Sequence, residues 1–188
     1  MNKCGQVFTV ERAKMDTSAE KTELKILVVS DTHRNNLPLK EVIRQEEPFD
    51  MLIHCGDVEC DIFTATGPNP PFAVYAVKGN CDFGRYPKEL VIETPGHRIF
   101  VCHGHQYGIR YSREKLYAAA RARETDVVLF GHTHVPEVGE RNGLFLMNPG
   151  SLCEPRGADR IRTYGLLLLQ EGSWPRMYIK KFTGGART

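Results

Sequence analysis

The stretch Leu24-Lys25-Ile26-Leu27-Val28-Val29-Ser30-Asp31-Thr32-His33 decides how the chain is read. A short run rich in Val, Ile and Leu, of the length a buried strand needs, breaks at once into a hydroxyl, a carboxylate and an imidazole. The change recurs along the chain. Met51–Ile53 is followed by His54-Cys55-Gly56-Asp57, and Ala73–Val77 by Lys78-Gly79-Asn80-Cys81-Asp82. Ile99–Cys102 is followed by His103-Gly104-His105, and Val127–Phe130 by Gly131-His132-Thr133-His134. Five consecutive predicted strands therefore each end in oxygen or imidazole donors. In α/β sheets, ligand sites lie outside the carboxyl ends of the strands, so all five clusters can converge on one rim.

No block is decisive alone. Asp-x-His and Gly-Asp are common turn sequences, and Asn80 after Gly79 is an ordinary turn residue. His103-Gly104-His105 also suits a loop of solvated imidazoles. Gly131-His132-Thr133-His134 is sharper, because two histidines after a buried strand have metal-ligand character. The shared order and placement of the five blocks carry the metal reading. Carboxylate, amide oxygen and imidazole suit first-row ions such as Mn, Fe, Co, Ni or Zn. One shared carboxylate can bridge two ions about 3.5–4 Å apart, the spacing used for in-line displacement at phosphorus. Asp57 is the candidate bridge.

Further apolar runs at Leu144–Met147, Leu166–Leu169 and Met177–Phe182 predict more strands, the last alternating in character. Asn142-Gly143 is a hairpin signal, and Gly-Pro-Asn-Pro-Pro at 67–71 a sharp turn. One helix is expected over about Leu39–Glu46, after Pro38 at its start. A second is expected from an N-cap near Ser112 to about Arg123. Strands interleaved with helices predict an α/β layered fold with an antiparallel portion after residue 140. Residues 1–23 read as a flexible N-terminal extension, 24–182 as the folded domain and 183–188 as a tail.

The 188 residues suit one domain with a sizeable core. A net charge of +2 with scattered basic residues excludes a dedicated nucleic-acid binder. No segment has the apolar length of a membrane span. Cys4, Cys55, Cys60, Cys81, Cys102 and Cys153 form no CxxC, and the first 23 residues contain no apolar run of signal-peptide length. A cytoplasmic protein with reduced thiols is expected, with most of these cysteines packed as small hydrophobes.

The blocks Asp-x-His, Gly-Asp, Gly-Asn-Cys-Asp, Gly-His and Gly-His-x-His resemble those of the calcineurin-like metallophosphoesterases, above all the small YfcE-type phosphodiesterases. The resemblance runs from about Leu24 to Phe182 and includes Asn148-Pro149-Gly150-Ser151. It implies a two-sheet β-sandwich flanked by helices. It implies one metal held by Asp31, His33, Asp57 and His134, and a second by Asp57, Asn80, His103 and His132. Two divalent transition-metal ions, Mn2+ foremost, would then supply a bridging hydroxide to attack a small phosphate ester. A homo-oligomer is compatible with the family.

Where the wider superfamily often has a histidine after the motif asparagine, this chain has Cys81, a weak donor. Asp57, Asn80, Cys81 and His105 are the expected catalytic groups, with His54 or His105 as helpers to the thiol. Arg34 and Arg156 could contact phosphate but read better as surface residues, and Asn148–Ser151 reads as a turn supporting the rim. The rival reading is a non-catalytic scaffold similar to the retromer subunit of this fold. It gives no physical reason to keep all seven presumed ligands in one cleft.

Overall fold

The computed structural model describes residues 23–84 and 86–184. The expected N-terminal extension therefore lies outside the described residues except for Glu23, and the last four residues of the tail lie outside them too.

Ten strands form two mixed five-stranded sheets. The first contains β1 (Leu24–Val29), β2 (Met51–His54), β3 (Ala73–Ala76), β9 (Thr163–Leu169) and β10 (Arg176–Lys181), in the order β10-β9-β1-β2-β3. β1, β2 and β3 run parallel, whereas β9 is antiparallel to both β1 and β10. The second sheet contains β4 (Glu89–Thr94), β5 (His97–Cys102), β6 (Val127–Leu129), β7 (Glu137–Arg141) and β8 (Leu144–Asn148), ordered β4-β5-β6-β8-β7. Its centre, β5-β6-β8, is parallel and both edges are antiparallel.

The period-two geometry of a strand explains why the central runs are apolar without interruption. Ile26 and Val28 of β1 enter the core between the sheets, with Ile53, Ile99, Val101, Val127 and Leu129. Leu27 and Val29, on the opposite face, pack with Leu39, Val42 and Ile43 of α1 (Leu37–Glu46). Phe100, Val128 and Leu146 likewise face away from the seam, onto Leu116 and Ala120 of α3 (Glu114–Arg121). Both faces of each central strand are covered, giving helix, sheet, sheet and helix in layers. This is the expected two-sheet sandwich flanked by helices.

Several local expectations are corrected. α1 starts two residues earlier than predicted, with Pro38 inside its first turn. α3 is shorter at both ends; the Ser112 hydroxyl accepts from Glu114 N (3.1 Å), but Arg113 is the N-cap. A four-residue helix, α2 (Phe63–Thr66), was not expected. Nor were β4 and β7. The five donor-tipped strands are therefore not consecutive, because β4 intervenes between β3 and β5.

Candidate metal centre

The sheets meet so that the ends of β1, β2 and β3 face those of β5 and β6. Asp31 N donates to Gly56 O (3.0 Å) and His33 N to Asp57 O (3.0 Å), so the loops after β1 and β2 stay paired beyond the strands. Gly131 N donates to His103 O (3.1 Å), tying the loops after β5 and β6 in the same way. Two glycines let these loops close. A Cβ on Gly79 would lie 2.0 Å from Asp57 Oδ1, and one on Gly131 would lie 2.0 Å from Ser30 Oγ. Asp31, His33, Asp57, His132 and His134 all adopt positive φ, between 44° and 67°. Each such non-glycine residue costs about 1–3 kcal/mol, and their concentration on one rim marks it as a functional site.

Five donors pack tightly. His134 Nε2 stands 3.1 Å from Asp31 Oδ1 and 3.4 Å from His33 Nε2. His103 Nε2 stands 3.3 Å from Asp57 Oδ2, 3.1 Å from Asn80 Oδ1 and 4.0 Å from Asp31 Oδ1. Asp31, His33 and His134 have ligating atoms within 4.8 Å of one another, as do Asp31, Asp57 and His103, and His33, Asp57 and Cys81. Asp57 reaches the donors on both sides. Asp31, Asp57, His103 and His134 are almost fully buried.

Residues 24–172 match the calcineurin-like phosphoesterase superfamily domain. The chain belongs to this superfamily. It is 36% identical over 149 residues to the probable metallophosphoesterase YsnB of Bacillus subtilis, a match covering 78% of this chain and 85% of YsnB. It is 34% identical over 105 residues to the phosphodiesterase YfcE of Escherichia coli, covering 50% of this chain and 52% of YfcE. Among solved structures, a predicted phosphoesterase of Streptococcus pneumoniae aligns with a TM-score of 0.69 at 29% identity, over 84% of this chain and 98% of that one. Vacuolar Protein Sorting 29 of Cryptosporidium parvum aligns with a TM-score of 0.68 over 87% of this chain and 100% of that one. At 20% identity this shows the shared fold alone.

The donor set of this metallophosphoesterase fits cations. His33 Nδ1 is 2.6 Å from Glu59 Oε1, His103 Nδ1 is 2.8 Å from Cys55 O, and His134 Nδ1 is 2.6 Å from Glu154 O. Each partner is an acceptor, so each Nδ1 carries the proton and each Nε2 is left with a lone pair. Those lone pairs face one another and face carboxylate and amide oxygens. Asp31 Oδ1 is buried and makes no hydrogen bond, even with His134 Nε2 3.1 Å away. Such an arrangement repels itself unless positive charge lies in its middle. The charge balance agrees. Burial alone would raise the Asp57 carboxyl, but positive charge on the neighbouring His103 ring, in the place a cation would otherwise fill, holds it far below the usual range. Burial would lower His103, but Asp57 and Asp31 raise it.

The remaining predicted residues sit at the mouth. Asn80 is exposed, with its Oδ1 on His103. Cys81 N donates to Asp57 Oδ1 (2.7 Å), while burial and the Asp57 charge push its thiol up to about 11. The exposed His105 ring lies 5.4 Å from that of His103 and 6.0 Å from that of His132. His132 lies 5.2 Å, ring to ring, from His103. His54 is not a helper. Its fully buried ring accepts from Gly56 N (3.2 Å) and meets Thr32 Oγ1 (3.1 Å), and burial lowers it to about 4. Arg34 is exposed and pairs with Glu59; Arg156 is exposed beside Glu154. Asn148 does support the rim, donating to Gly131 O (2.8 Å) and Thr133 Oγ1 (3.0 Å). Ser151 Oγ donates to Asp31 O (2.8 Å).

Three residues were missed. Asp82 is buried and accepts from Asp57 N (2.8 Å), Glu59 N (2.5 Å) and Gly79 N (2.8 Å), locking two donor loops together. Glu59 orients His33. Arg110 donates through Nε to His132 Nε2 (3.1 Å). Asp82 closes the Gly-Asn-Cys-Asp block and could have been singled out there. Glu59 and Arg110 carry no motif signal.

Proposed function

We propose that this metallophosphoesterase hydrolyses a small phosphodiester with two divalent transition-metal ions, Mn2+ foremost, and Fe, Ni, Co or Zn also suited to the donors. Asp31, His33, Asp57 and His134 would hold one ion, and Asp57, Asn80, His103 and His132 the other. When bound, the pair would supply an activated water at neutral pH and positive charge against the phosphoryl oxygens. The carrying observation is the ring of Nε2 lone pairs on His33, His103 and His134 turned toward Asp31 and Asp57, with every Nδ1 already engaged.

The chain's own groups do the rest. Asp57 spans the two halves of the donor cluster. Glu59 and the carbonyls of Cys55 and Glu154 fix the imidazole tautomers. His105 stands exposed at the mouth, where a leaving group would depart and take a proton. The Cys81 thiol stays protonated at neutral pH, accepts from Asn80 Nδ2 (3.1 Å) and can donate only weakly. Esters with good leaving groups are therefore favoured. A small ester also suits a chain whose net charge is +2. Among the described residues no helix is long and apolar enough to cross a membrane, and Cys55, Cys60, Cys81, Cys102 and Cys153 are free thiols; both support a cytoplasmic setting.

The test is hydrolysis of a chromogenic phosphodiester. Activity should appear with Mn2+, vanish with chelator and fall about a thousandfold or more in Asp57→Asn, which removes the charge both ions would share. Stoichiometric metal uptake without turnover of any ester would reject the enzyme in favour of the scaffold.

A further inference from the structure

Of the four histidines in the donor cluster, His132 is held differently. His33, His103 and His134 each give their Nδ1 proton to a carboxylate or carbonyl and keep a free Nε2 lone pair. His132 instead receives a proton donor at Nε2, the Nε–H of Arg110, at 3.1 Å. Arginine has donors only, so the Nε2 lone pair of His132 is already used and Nδ1 must carry its proton. Among the described residues no acceptor engages that Nδ1. As it stands, His132 offers a cation nothing.

We propose that Arg110 is a latch on the second metal position: it occupies His132 until a cation displaces it, and the freed guanidinium then binds a non-bridging phosphoryl oxygen of the substrate. This rests on the binuclear reading above. Arg110 is exposed and belongs to the loop between the 3-10 turn His105–Tyr107 and α3, so it can leave the ring without unpacking the core. A divalent cation beside His132 would also repel the guanidinium that stands 3.1 Å from its ring nitrogen, and an incoming phosphoryl group would attract both. Among the described residues the first position has no such competitor: no basic side chain meets the Nε2 of His33 or His134, and Arg34 reaches only Glu59, the carboxylate behind His33. The two positions therefore fill unequally, and the second is completed best when anionic substrate is present.

Calorimetric titration of the metal-free full chain with Mn2+, alongside diester kinetics, tests this. Wild type should show two unequal binding classes. In Arg110→Ala the weaker class should tighten about three- to tenfold, the worth of one exposed charge-assisted hydrogen bond, while the stronger is unchanged. KM for the diester should rise with much smaller change in kcat, and Arg110→Lys should recover part of the KM. Unchanged metal affinities, or a weaker second class in Arg110→Ala, would overturn the latch; an unchanged KM would overturn the phosphate contact. If neither protein takes up metal, the binuclear reading itself fails, which the titration distinguishes from failure of the latch alone.

Discussion

The two halves of the cleft are built to different standards. On one side, Asp31 and His134 are buried, His33 is nearly so, and each has a fixed partner behind it: Ser151 on the Asp31 carbonyl, Glu59 on His33, the Glu154 carbonyl on His134. On the other side, Asn80 and His105 are exposed, Cys81 is half-buried, and among the described residues the His132 ring is hydrogen-bonded only by a surface arginine, although its backbone N–H donates to Asp31 Oδ2 (3.2 Å). A cation needs a rigid, dry cage to be kept. A substrate needs a side that opens and a group that can give up a proton. Under the proposed function the first half would hold a cation and the second would work on the substrate, with Asp57 and His103 between them.

Asp82 joins the halves, and its loss should show the largest structural effect. Its carboxylate takes backbone protons from Asp57 and Glu59 on one side and Gly79 on the other. Asp82→Ala leaves three N–H groups without that acceptor. It should destabilise the protein by at least about 3 kcal/mol in urea denaturation, since hydrogen bonds to a buried charge are worth about 1.5–3 kcal/mol each and solvent can make up part of the loss. A variant as stable as wild type would mean that the loops are held by their glycines and strand ends alone.

Glu59→Gln probes the holding half only. A glutamine can still meet His33 Nδ1, but without charge, so the imidazole becomes a poorer ligand. The stronger Mn2+ class should weaken about 10–100-fold while the weaker class is little altered, as is usual for a carboxylate behind a metal-bound histidine. Equal weakening of both classes would erase the division between the halves.

The same division governs what the sequence discloses. The central strands announce themselves because both faces are covered: β1 must be apolar toward α1 and toward the seam alike. The donors follow those strand ends directly, so Asp31, Asp57, His103 and His132 could be found by position. β4 and β7 are edge strands with one buried residue and none, and they read Glu89-Leu-Val-Ile-Glu-Thr94 and Glu137-Val-Gly-Glu-Arg141. An edge strand has one face on water and tolerates charge, so no continuous run marks it. Glu59 reaches His33 across 26 positions and Arg110 reaches His132 across 22, and nothing local encodes either meeting. His54 misled for the opposite reason. It stands next to a donor block, yet its ring points into the protein, where Thr32 and Gly56 use both nitrogens.

The smallest expected effect isolates the working half. Cys81 contributes its backbone N–H to Asp57, a bond any residue can make, so Cys81→His should leave stability and metal uptake near wild type. Its side chain is what changes. The thiol, pushed up to about 11, gives way to an imidazole that can both hold and release a proton near neutral pH. Esters whose leaving group needs protonation should gain relative to nitrophenyl esters, whose leaving group departs unaided. A shift of about threefold to tenfold in the ratio of kcat/KM values is expected, at the low end of what a positioned general acid supplies. The rate change should follow leaving-group basicity across a series of diesters. Identical profiles for the two proteins would move the proton donor away from position 81, leaving His105 as the group at the mouth able to serve.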